Sequence, residues 1–268
     1  MIVVVGLGNM GLALARRLKM RGREVVGVDP DAARVTVWKV LSGLVGVATI
    51  EEVDWPRVER VLIVVRTADQ LWDSLAGVRK HAEKVGLRGL PLHVITTITP
   101  PEAKRLVEFA SPALRVIENS ITGGEAPALL GTQTALLAGD FTDADVAFLR
   151  DGLMEVIVTF DQLGEPALAK LLNNLACAYN LASFGAIVKL GADNGLDVGK
   201  LSNVIVHGSG ESYSARVVFS MIGDLLAKDV NLAKSFIGEA PLVDPDGIEA
   251  QLKALRARLE APPLSSRK

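Results

Sequence analysis

The sequence predicts an α/β protein with a doubly wound parallel sheet in its N-terminal part and an all-helical C-terminal domain that opens on a long helix. Three observations support this prediction. An apolar run, Ile2 to Val5, leads directly into a glycine-rich turn. Strand-like and helix-like patterns then alternate until Phe160. From Pro166 to Asp193 the chain shows no strand signal and no further proline, as expected of one long helix.

The glycine-rich turn has the spacing G-x-G-x-x-G of a dinucleotide-binding fingerprint. Gly6 lets the backbone turn sharply, Gly8 leaves room for a pyrophosphate, and Gly11 lets the next helix lie close to the strand. The N–H groups at the start of that helix would face the phosphates. A strand, this turn, a helix and a second strand in order favour a Rossmann fold over an ordinary βαβ turn. We therefore predict a phosphate-binding turn made of Gly6, Leu7, Gly8, Asn9, Met10 and Gly11.

An acidic residue, Asp29, ends the second predicted strand, Glu24 to Val28, eighteen residues after Gly11. A carboxylate there can accept hydrogen bonds from the hydroxyls of the adenosine ribose and would repel a 2′-phosphate. We therefore predict NAD as the cofactor. Arg34 follows closely and would suit a 2′-phosphate, which leaves NADP as the alternative.

The remaining elements follow in the same rhythm. Strands are predicted at residues 45–48, 61–65, 92–95, 115–117, 133–138 and 156–160, and helices at residues 12–20, 30–41, 68–80, 101–110 and 142–153. This alternation predicts parallel strands with helices on both faces of the sheet. Ligands of such sheets bind at the carboxyl ends of the strands. The residues that fall at those ends are Gly6, Asp29, Arg66, Thr97 and Thr122.

The change from alternating to purely helical patterns predicts a domain boundary near Leu163. We predict a dinucleotide-binding domain at residues 1–162 and an all-helical domain for substrate binding and oligomerisation at residues 163–268. Helical patterns continue to Arg258, and the tail at residues 261–268 is expected to be frayed.

The composition narrows the range of functions. A formal net charge of −2 over 268 residues gives no reason to expect a nucleic acid or an anionic membrane as partner. Cys177 is the one cysteine and the three histidines are far apart in sequence, so no metal site is expected. Leu171 to Val188 is uncharged and reaches the lower length limit for a membrane span. Polar residues interrupt this stretch, which favours a buried helix in a soluble, cytoplasmic protein.

Lys170 and Asn174 are four residues apart at the start of the long helix and therefore share one face. A lysine that reaches a cleft is desolvated, its pKa falls, and it can exchange a proton with an alcohol. The alternative is a solvated lysine at a helix end. Upstream, Thr122-Gly123-Gly124 offers a hydroxyl and N–H groups that suit a carboxylate, unless it is an ordinary turn.

Four motifs, in this order, resemble those of the β-hydroxyacid dehydrogenases, the family of 3-hydroxyisobutyrate dehydrogenase and tartronate semialdehyde reductase, with 6-phosphogluconate dehydrogenase as a related enzyme. Gly6 to Gly11 is similar to the N-terminal signature, and Ser120 to Gly124 to the substrate-binding segment. Gly164 to Asn174 resembles the helix of the catalytic lysine, and Lys228 to Ala233 a late K-D motif. The resemblance covers residues 1–235.

The resemblance implies a role for each matching position. Lys170 would be the catalytic acid/base and Asn174 a substrate ligand. The substrate's carboxylate would be held by Thr122, Gly123 and Gly124. The implied cofactor contacts are Val65, Arg66, Thr97 and Lys228, with Thr97 beside the nicotinamide and Lys228 closing over the cofactor.

Departures from the family's motifs concern the substrate more than the reaction. Arg66 adds a charge where proline is usual, Glu118-Asn119 places polar residues before the substrate turn, and Glu165-Pro166 replaces a glycine of the catalytic motif. In this family the long helix commonly packs between subunits, so the resemblance implies a homodimer or homotetramer.

Together these residues predict an oxidoreductase that transfers a hydride between a nicotinamide cofactor and a small 3-hydroxy acid, with Lys170 as the general acid/base. Two alternatives stay open: an imine reductase-like NAD(P)H oxidoreductase, and a sensor that binds a dinucleotide without catalysis. Imine reductases usually carry another residue at the lysine position, and a sensor would not need Lys170, Asn174 and Thr122 together.

Overall fold

Eight strands form one sheet in the structure, a computed structural model that describes residues 1–220, 223–239, 251, 253 and 256. In chain order the strands are β1 (Ile2–Val5), β2 (Val25–Val28), β3 (Val45–Val47), β4 (Arg60–Ile63), β5 (Leu90–Val94), β6 (Leu114–Thr122), β7 (Gln133–Gly139) and β8 (Met154–Thr159). Across the sheet their order is β3-β2-β1-β4-β5-β6-β7-β8. The first six follow the order of the Rossmann fold, so the predicted doubly wound sheet is confirmed.

One pairing departs from the parallel sheet that the sequence predicts. All neighbouring strands are parallel except β6 and β7, which are antiparallel. Residues 123–132 connect these two strands, and such a connection is short for a parallel crossover, which needs roughly a dozen or more residues. β6 is also longer than predicted, because the polar residues Glu118, Asn119 and Ser120 continue the strand and are buried.

Ten α-helices are described. They are α1 (Asn9–Met20), α2 (Ala32–Ser42), α3 (Ala68–Lys84), α4 (Pro100–Lys104), α5 (Glu125–Leu130), α6 (Asp143–Arg150), α7 (Glu165–Asp193), α8 (Val198–His207), α9 (Tyr213–Arg216) and α10 (Gly223–Ile237). Short 3₁₀ helices lie at Ile50–Glu52, Trp55–Arg57, Arg105–Phe109 and Val218–Ser220. The helix predicted at residues 101–110 is therefore divided between α4 and a 3₁₀ helix, and α5 has no counterpart in the sequence prediction.

The centre of the sheet is buried because helices cover both of its faces. Alternate residues of a strand point to opposite faces. On one face Val3 and Val5 belong to a buried cluster with residues of α3. On the other face Ile2 and Val4 pack with α1 and with Trp38 of α2. Full burial of such aliphatic side chains contributes about 1.5–3 kcal/mol each, which fixes β1 and the glycine-rich turn that follows it.

The long helix α7 has the predicted length but not the predicted burial. Among the described residues it is the one helix long and apolar enough to cross a membrane, and only 11% of its most apolar window is buried. Its first turns are buried through Pro166 and Leu171, whereas Ile187 and Leu190 are exposed. The buried helix predicted for Leu171 to Val188 is therefore wrong for this chain taken alone.

Contacts between Cα atoms divide the chain into two units, Met1–Phe236 and Ile237–Lys268. The sheet and the cleft described below belong to the first unit. The boundary predicted between residues 162 and 163 stays a prediction. The helical pattern that leads to Arg258 lies mostly outside the described residues, and the tail at residues 261–268 lies entirely outside them.

Candidate active site

A cleft of about 1750 Å³ lies at the carboxyl ends of β1, β2, β4, β5 and β6, with residues of α7 and α10 also lining it. The predicted site residues that line it are Gly6, Gly8, Asn9, Met10, Gly11, Asp29, Val65, Arg66, Thr97, Thr122, Gly123, Gly124, Lys170, Asn174 and Lys228. Leu7 is the one predicted residue that does not. The fold thus brings residues from both ends of the first unit into one cavity.

The glycine-rich turn is closely packed on one side and open on the other. Gly6 has a φ of +97°, and a Cβ atom there would lie 2.4 Å from the carbonyl oxygen of Val64. A Cβ atom on Gly11 would lie 2.0 Å from the carbonyl oxygen of Gly6, so α1 can lie close to β1 only with glycine there. At Gly8 a Cβ atom would meet nothing within 4 Å. Since α1 also begins without a side-chain cap, its first N–H groups suit the phosphates of a dinucleotide.

Asp29 is buried at the end of β2 and holds the glycine-rich turn in place. Its Oδ2 atom accepts a hydrogen bond from the N–H of Leu7 at 2.9 Å, and its Oδ1 atom accepts one from the N–H of Asp31 at 3.0 Å. Leu7 therefore contributes through its backbone, while its side chain is buried. The guanidinium of Arg34 lies 3.6 Å from Oδ2 of Asp29. This end of the cleft thus presents both a carboxylate for a ribose and a cation for a 2′-phosphate.

Lys170 lies in the second turn of α7, where most of its surroundings are protein. Burial lowers the pKa of its ammonium group, the negative charge of Asp229 raises it, and the positive charge of Lys228 lowers it, with a net fall. Within the part of the chain that the structure describes, its amine donates no hydrogen bond. The amine is therefore available to a ligand and can give up its proton more readily than an exposed lysine.

Side-chain hydrogen bonds connect the substrate turn to α10 across α7. Asn173 Nδ2 donates to the hydroxyl of Thr122 at 2.9 Å and to Oδ1 of Asn174 at 3.3 Å. Asn174 Nδ2 in turn donates to Oδ2 of Asp229 at 2.7 Å. Neighbours on both sides therefore orient the buried amide of Asn174. Sequence reasoning did not select Asn173 or Asp229, although each directly follows or precedes a selected residue in a quoted motif.

The turn Gly123-Gly124 requires glycine at both positions. Their φ angles are +125° and +82°, which residues with a Cβ atom rarely adopt. Both glycines line the cleft, and their N–H groups donate to none of the described residues. Their carbonyl oxygens accept hydrogen bonds from Tyr213 and Gln133, two residues that no sequence motif marks as functional.

Apart from the glycine-rich turn and Asp29, the predicted cofactor contacts meet after β4 and β5. Lys228 Nζ on α10 donates to the carbonyl oxygen of Arg66 at 3.1 Å. The N–H of Val65 donates to the hydroxyl of Thr96 at 3.1 Å. Thr97, the next residue, lines the cleft. Helix α10 therefore contacts the loop after β4, near which a nicotinamide is expected.

Fold and cleft together define the class of the protein. A Rossmann sheet with an open glycine-rich turn is typical of dinucleotide-binding proteins, and a desolvated lysine in the same cleft can act as an acid or a base. Among the described residues, no group of three His, Cys, Asp or Glu side chains could hold a metal. Residues 1–148 match the family described as the NAD binding domain of 6-phosphogluconate dehydrogenase. The match covers more than half of the chain, which therefore belongs to this family and, with it, to the NAD(P)-dependent β-hydroxyacid dehydrogenases.

Two relatives cover most of the chain. The L-threonate dehydrogenase of Cupriavidus necator is 27% identical over 231 residues, which are 83% of this chain and 76% of that protein. The 3-hydroxyisobutyrate dehydrogenase of Pseudomonas aeruginosa is 27% identical over 218 residues, which are 80% of this chain and 71% of that protein. The resemblance drawn from the motifs is thus confirmed at the level of the family.

Solved structures show the same fold. A 3-hydroxyisobutyrate dehydrogenase from Salmonella typhimurium aligns with a TM-score of 0.72 and 20% identity, covering 95% of this chain and 87% of that chain. A reductive aminase from Aspergillus terreus in complex with NADPH aligns with a TM-score of 0.62 and 21% identity, covering 96% and 84%. Sequence identities this low show only that the fold is the same. These structures therefore do not distinguish oxidation of a hydroxy acid from reduction of an imine.

Proposed function

We propose that the protein oxidises a small 3-hydroxy acid with NAD, and reduces the corresponding carbonyl acid with NADH. The observation that carries the proposal is the position of Lys170. Its desolvated amine, which donates no hydrogen bond to a described residue, lines the same cleft as the turn Thr122-Gly123-Gly124 and as Thr97. In the proposed arrangement the carboxylate of the substrate would bind at the turn, the nicotinamide would lie beside Thr97, and Lys170 would transfer the proton.

The reaction removes a hydride from the carbinol carbon and a proton from the hydroxyl, and leaves a carbonyl group. A bound nicotinamide supplies the acceptor of the hydride. Neutral Lys170 takes the proton in oxidation and returns it in reduction. The amide of Asn174 would hold the hydroxyl in place, and the turn Thr122-Gly123-Gly124 would hold the carboxylate.

NAD is the proposed cofactor because Asp29 occupies the place of the ribose-binding acid. Arg34 beside it is half exposed, at 50%, and its guanidinium already faces the carboxylates of Asp29 and Asp31. Two neighbouring carboxylates make this site unfavourable for a 2′-phosphate. NADP is therefore the proposed second choice.

The proposed partners are a small carboxylate substrate and a second copy of the chain. The exposed apolar surface of α7 supports self-association, as a homodimer or a homotetramer. A nucleic acid, a membrane and a metal are not part of the proposal. The cytoplasmic location stays a prediction.

The proposal is tested by NADH or NADPH formation at alkaline pH with 3-hydroxyisobutyrate, glycerate, L-serine, 4-hydroxybutyrate, sulfolactate and 6-phosphogluconate. We expect one small acid to be oxidised, and faster with NAD than with NADP. In Lys170→Ala the turnover should fall by about 10²–10⁴-fold, while the affinity for NADH changes by less than about twofold. Lys189→Ala, on an exposed lysine of the same helix, is the matched control. Unchanged turnover in Lys170→Ala would contradict the mechanism.

The same assay separates the two alternatives. An imine reductase would oxidise NADPH in the presence of a cyclic imine and leave all six acids untouched. A sensor would bind NADH and turn over neither the acids nor the imine.

A further inference from the structure

We propose that Tyr213 and Gln133 are positioning residues that fix the two peptide planes of the turn Gly123-Gly124. They would thereby set the directions of the N–H groups of Gly124 and Glu125, toward which the substrate's carboxylate would bind. This inference rests on the proposed function, in which the turn holds that carboxylate. It adds two residues from α9 and β7 that neither the motifs nor the family match assigns to the site.

Tyr213 holds the first peptide plane from α9. Its hydroxyl donates a hydrogen bond to the carbonyl oxygen of Gly123. A carbonyl oxygen can only accept, so the phenol is the donor, and burial raises its pKa and keeps it protonated. The C=O of Gly123 and the N–H of Gly124 belong to one planar trans peptide unit and point in opposite directions. Tyr213 therefore fixes the direction in which the N–H of Gly124 points.

Gln133 holds the second peptide plane from β7. Its Nε2 atom donates to the carbonyl oxygen of Gly124 at 2.8 Å and lies 3.5 Å from the sulfur of Met10. A Cβ atom on Gly123 would lie 3.6 Å from Cγ of Gln133, so this side chain packs against the turn. By the same geometry it fixes the N–H of Glu125, and it connects the substrate turn to the glycine-rich turn that contains Met10.

The amide of Gln133 is buried with only one of its two ends hydrogen-bonded to described residues. The side chain is fully buried, and among the described residues its Oε1 atom has no hydrogen-bond partner. An unsatisfied buried acceptor lowers stability, and an apolar side chain of the same length would avoid that loss. What the amide provides is the hydrogen bond to Gly124, so its role lies in the geometry of the turn.

Two such contacts matter because the turn is made of glycine. Without Cβ atoms, peptide planes at Gly123 and Gly124 can rotate at little steric cost. An anion site works best when its donors are already directed before the ligand arrives. The N–H of Ala128 donates a hydrogen bond to the carbonyl oxygen of Gly124 at 3.2 Å, at the start of α5. This bond holds the peptide plane between Gly124 and Glu125, but not the one between Gly123 and Gly124.

The inference is tested with Tyr213→Phe and Gln133→Met, which remove the two donors and keep the bulk of each side chain. The probe is whichever of the six acids of the panel the unchanged chain oxidises fastest, compared with its methyl ester. For the acid, KM should rise about fivefold in each variant and further in the double variant, with kcat within about twofold. The KM for the ester and that for NAD should change by less than about twofold, because neither engages the turn through a carboxylate. Gln162→Met, at an exposed glutamine, is the control.

The outcomes separate this inference from the proposed function. Equal losses on acid and ester, or unchanged KM in both variants, would overturn the positioning role. Gly124→Ala distorts the turn itself, because φ is +82° there. If Gly124→Ala raises the KM of the acid and the other two variants do not, the turn binds the carboxylate without their help. If none of the three changes the KM, or the unchanged chain oxidises none of the six acids, the proposed function fails as well.

Discussion

Lys170 stands between charges of opposite sign, and these neighbours decide at which pH its amine is neutral. Burial lowers its pKa most, Asp229 acts against that fall, and Lys228 reinforces it. Asp229 and Lys228 are consecutive on α10, with 3.6 Å between Nζ of Lys228 and Oδ1 of Asp229. One helix of the C-terminal part thus tunes the residue to which the acid/base role is assigned.

We predict that removing these two charges shifts the pH dependence of oxidation in opposite directions. Oxidation needs neutral Lys170, so kcat/KM rises with pH through its pKa and then levels off. Asp229→Asn leaves an acceptor for Asn174 but removes a negative charge, which lowers the pKa and moves the rise to lower pH. Lys228→Met removes a positive charge and moves the rise to higher pH.

The measurement is kcat/KM of hydroxy-acid oxidation in each variant from about pH 6 to about pH 11. Lys189→Met, which removes an exposed charge that pairs with Asp193, should leave the profile in place. Shifts of Asp229→Asn and Lys228→Met in the same direction would contradict the assignment of this limb to Lys170.

What the sequence predicts at the scale of residues follows from spacing. Lys170 and Asn174 share a helix face, and the structure places both in the cleft. Tyr213 and Gly123 are 90 residues apart, so no local sequence pattern predicts the hydrogen bond between them. The same holds for Gln133 and Met10, which are 123 residues apart and meet only because the fold brings β7 beside α1.

Among the elements, β6 and α7 are joined by a buried carboxyl group. Oε2 of Glu118 accepts a hydrogen bond from the N–H of Gly164 and Oε1 accepts one from the N–H of Ala167, both at 2.7 Å. α7 has no cap from its own residue Gly164, so this strand residue caps it instead. The cap sets where the helix that carries Lys170 begins.

Glu118 should make stability depend on pH. Burial raises its pKa to about 7, against the effect of the two N–H donors and with a smaller contribution from Glu165. Because the pKa in the folded state is above the unfolded value, this contribution to stability is complete below the unfolded pKa. It is lost as the pH rises through about 7. We therefore expect the difference in free energy of unfolding between the unchanged chain and Glu118→Gln to be largest near about pH 5 and to shrink by about pH 8.

Urea unfolding at several pH values measures this difference. The glutamine can accept only one of the two hydrogen bonds, so at about pH 5 the variant should be less stable by about 1–3 kcal/mol. Glu155→Gln, at an exposed carboxyl, should show no such trend. A difference that does not change with pH would show that Glu118 keeps one protonation state throughout.

The elements themselves were predictable where apolar patterns were unbroken. β1 has the predicted ends, and α7 begins one residue earlier than predicted. α1 begins at Asn9 rather than at the predicted Leu12. The prediction missed this first turn because it carries Asn9 and Gly11, which have low helix propensity and belong to the fingerprint. The second half of β6 was not predicted as a strand because its buried residues are polar. Their hydrogen-bond partners, such as the N–H groups that donate to Glu118, lie far away in sequence.

For the molecule as a whole, α7 presents a surface that the chain itself leaves uncovered. Three of the polar residues that interrupt its apolar stretch, Asn173, Asn174 and Asn180, line the cleft. They therefore do not make the outer face polar, where Ile187 is 47% and Leu190 57% exposed. The interruptions misled the prediction of burial, because sequence alone does not show on which side of the helix each residue lies.

We predict that this outer face of α7 holds two copies of the chain together. A monomer rarely leaves several neighbouring apolar side chains of one helix exposed to water, and a second copy of the chain would cover them. The double variant Ile187→Asp, Leu190→Asp would bury two charges in such an interface and should yield a monomer in size-exclusion chromatography with light scattering. Met20→Asp, at an isolated exposed methionine of α1, should leave the mass unchanged. A monomeric unchanged chain would contradict the prediction, and a chain that stays in solution only with detergent would favour a membrane as the cover of α7.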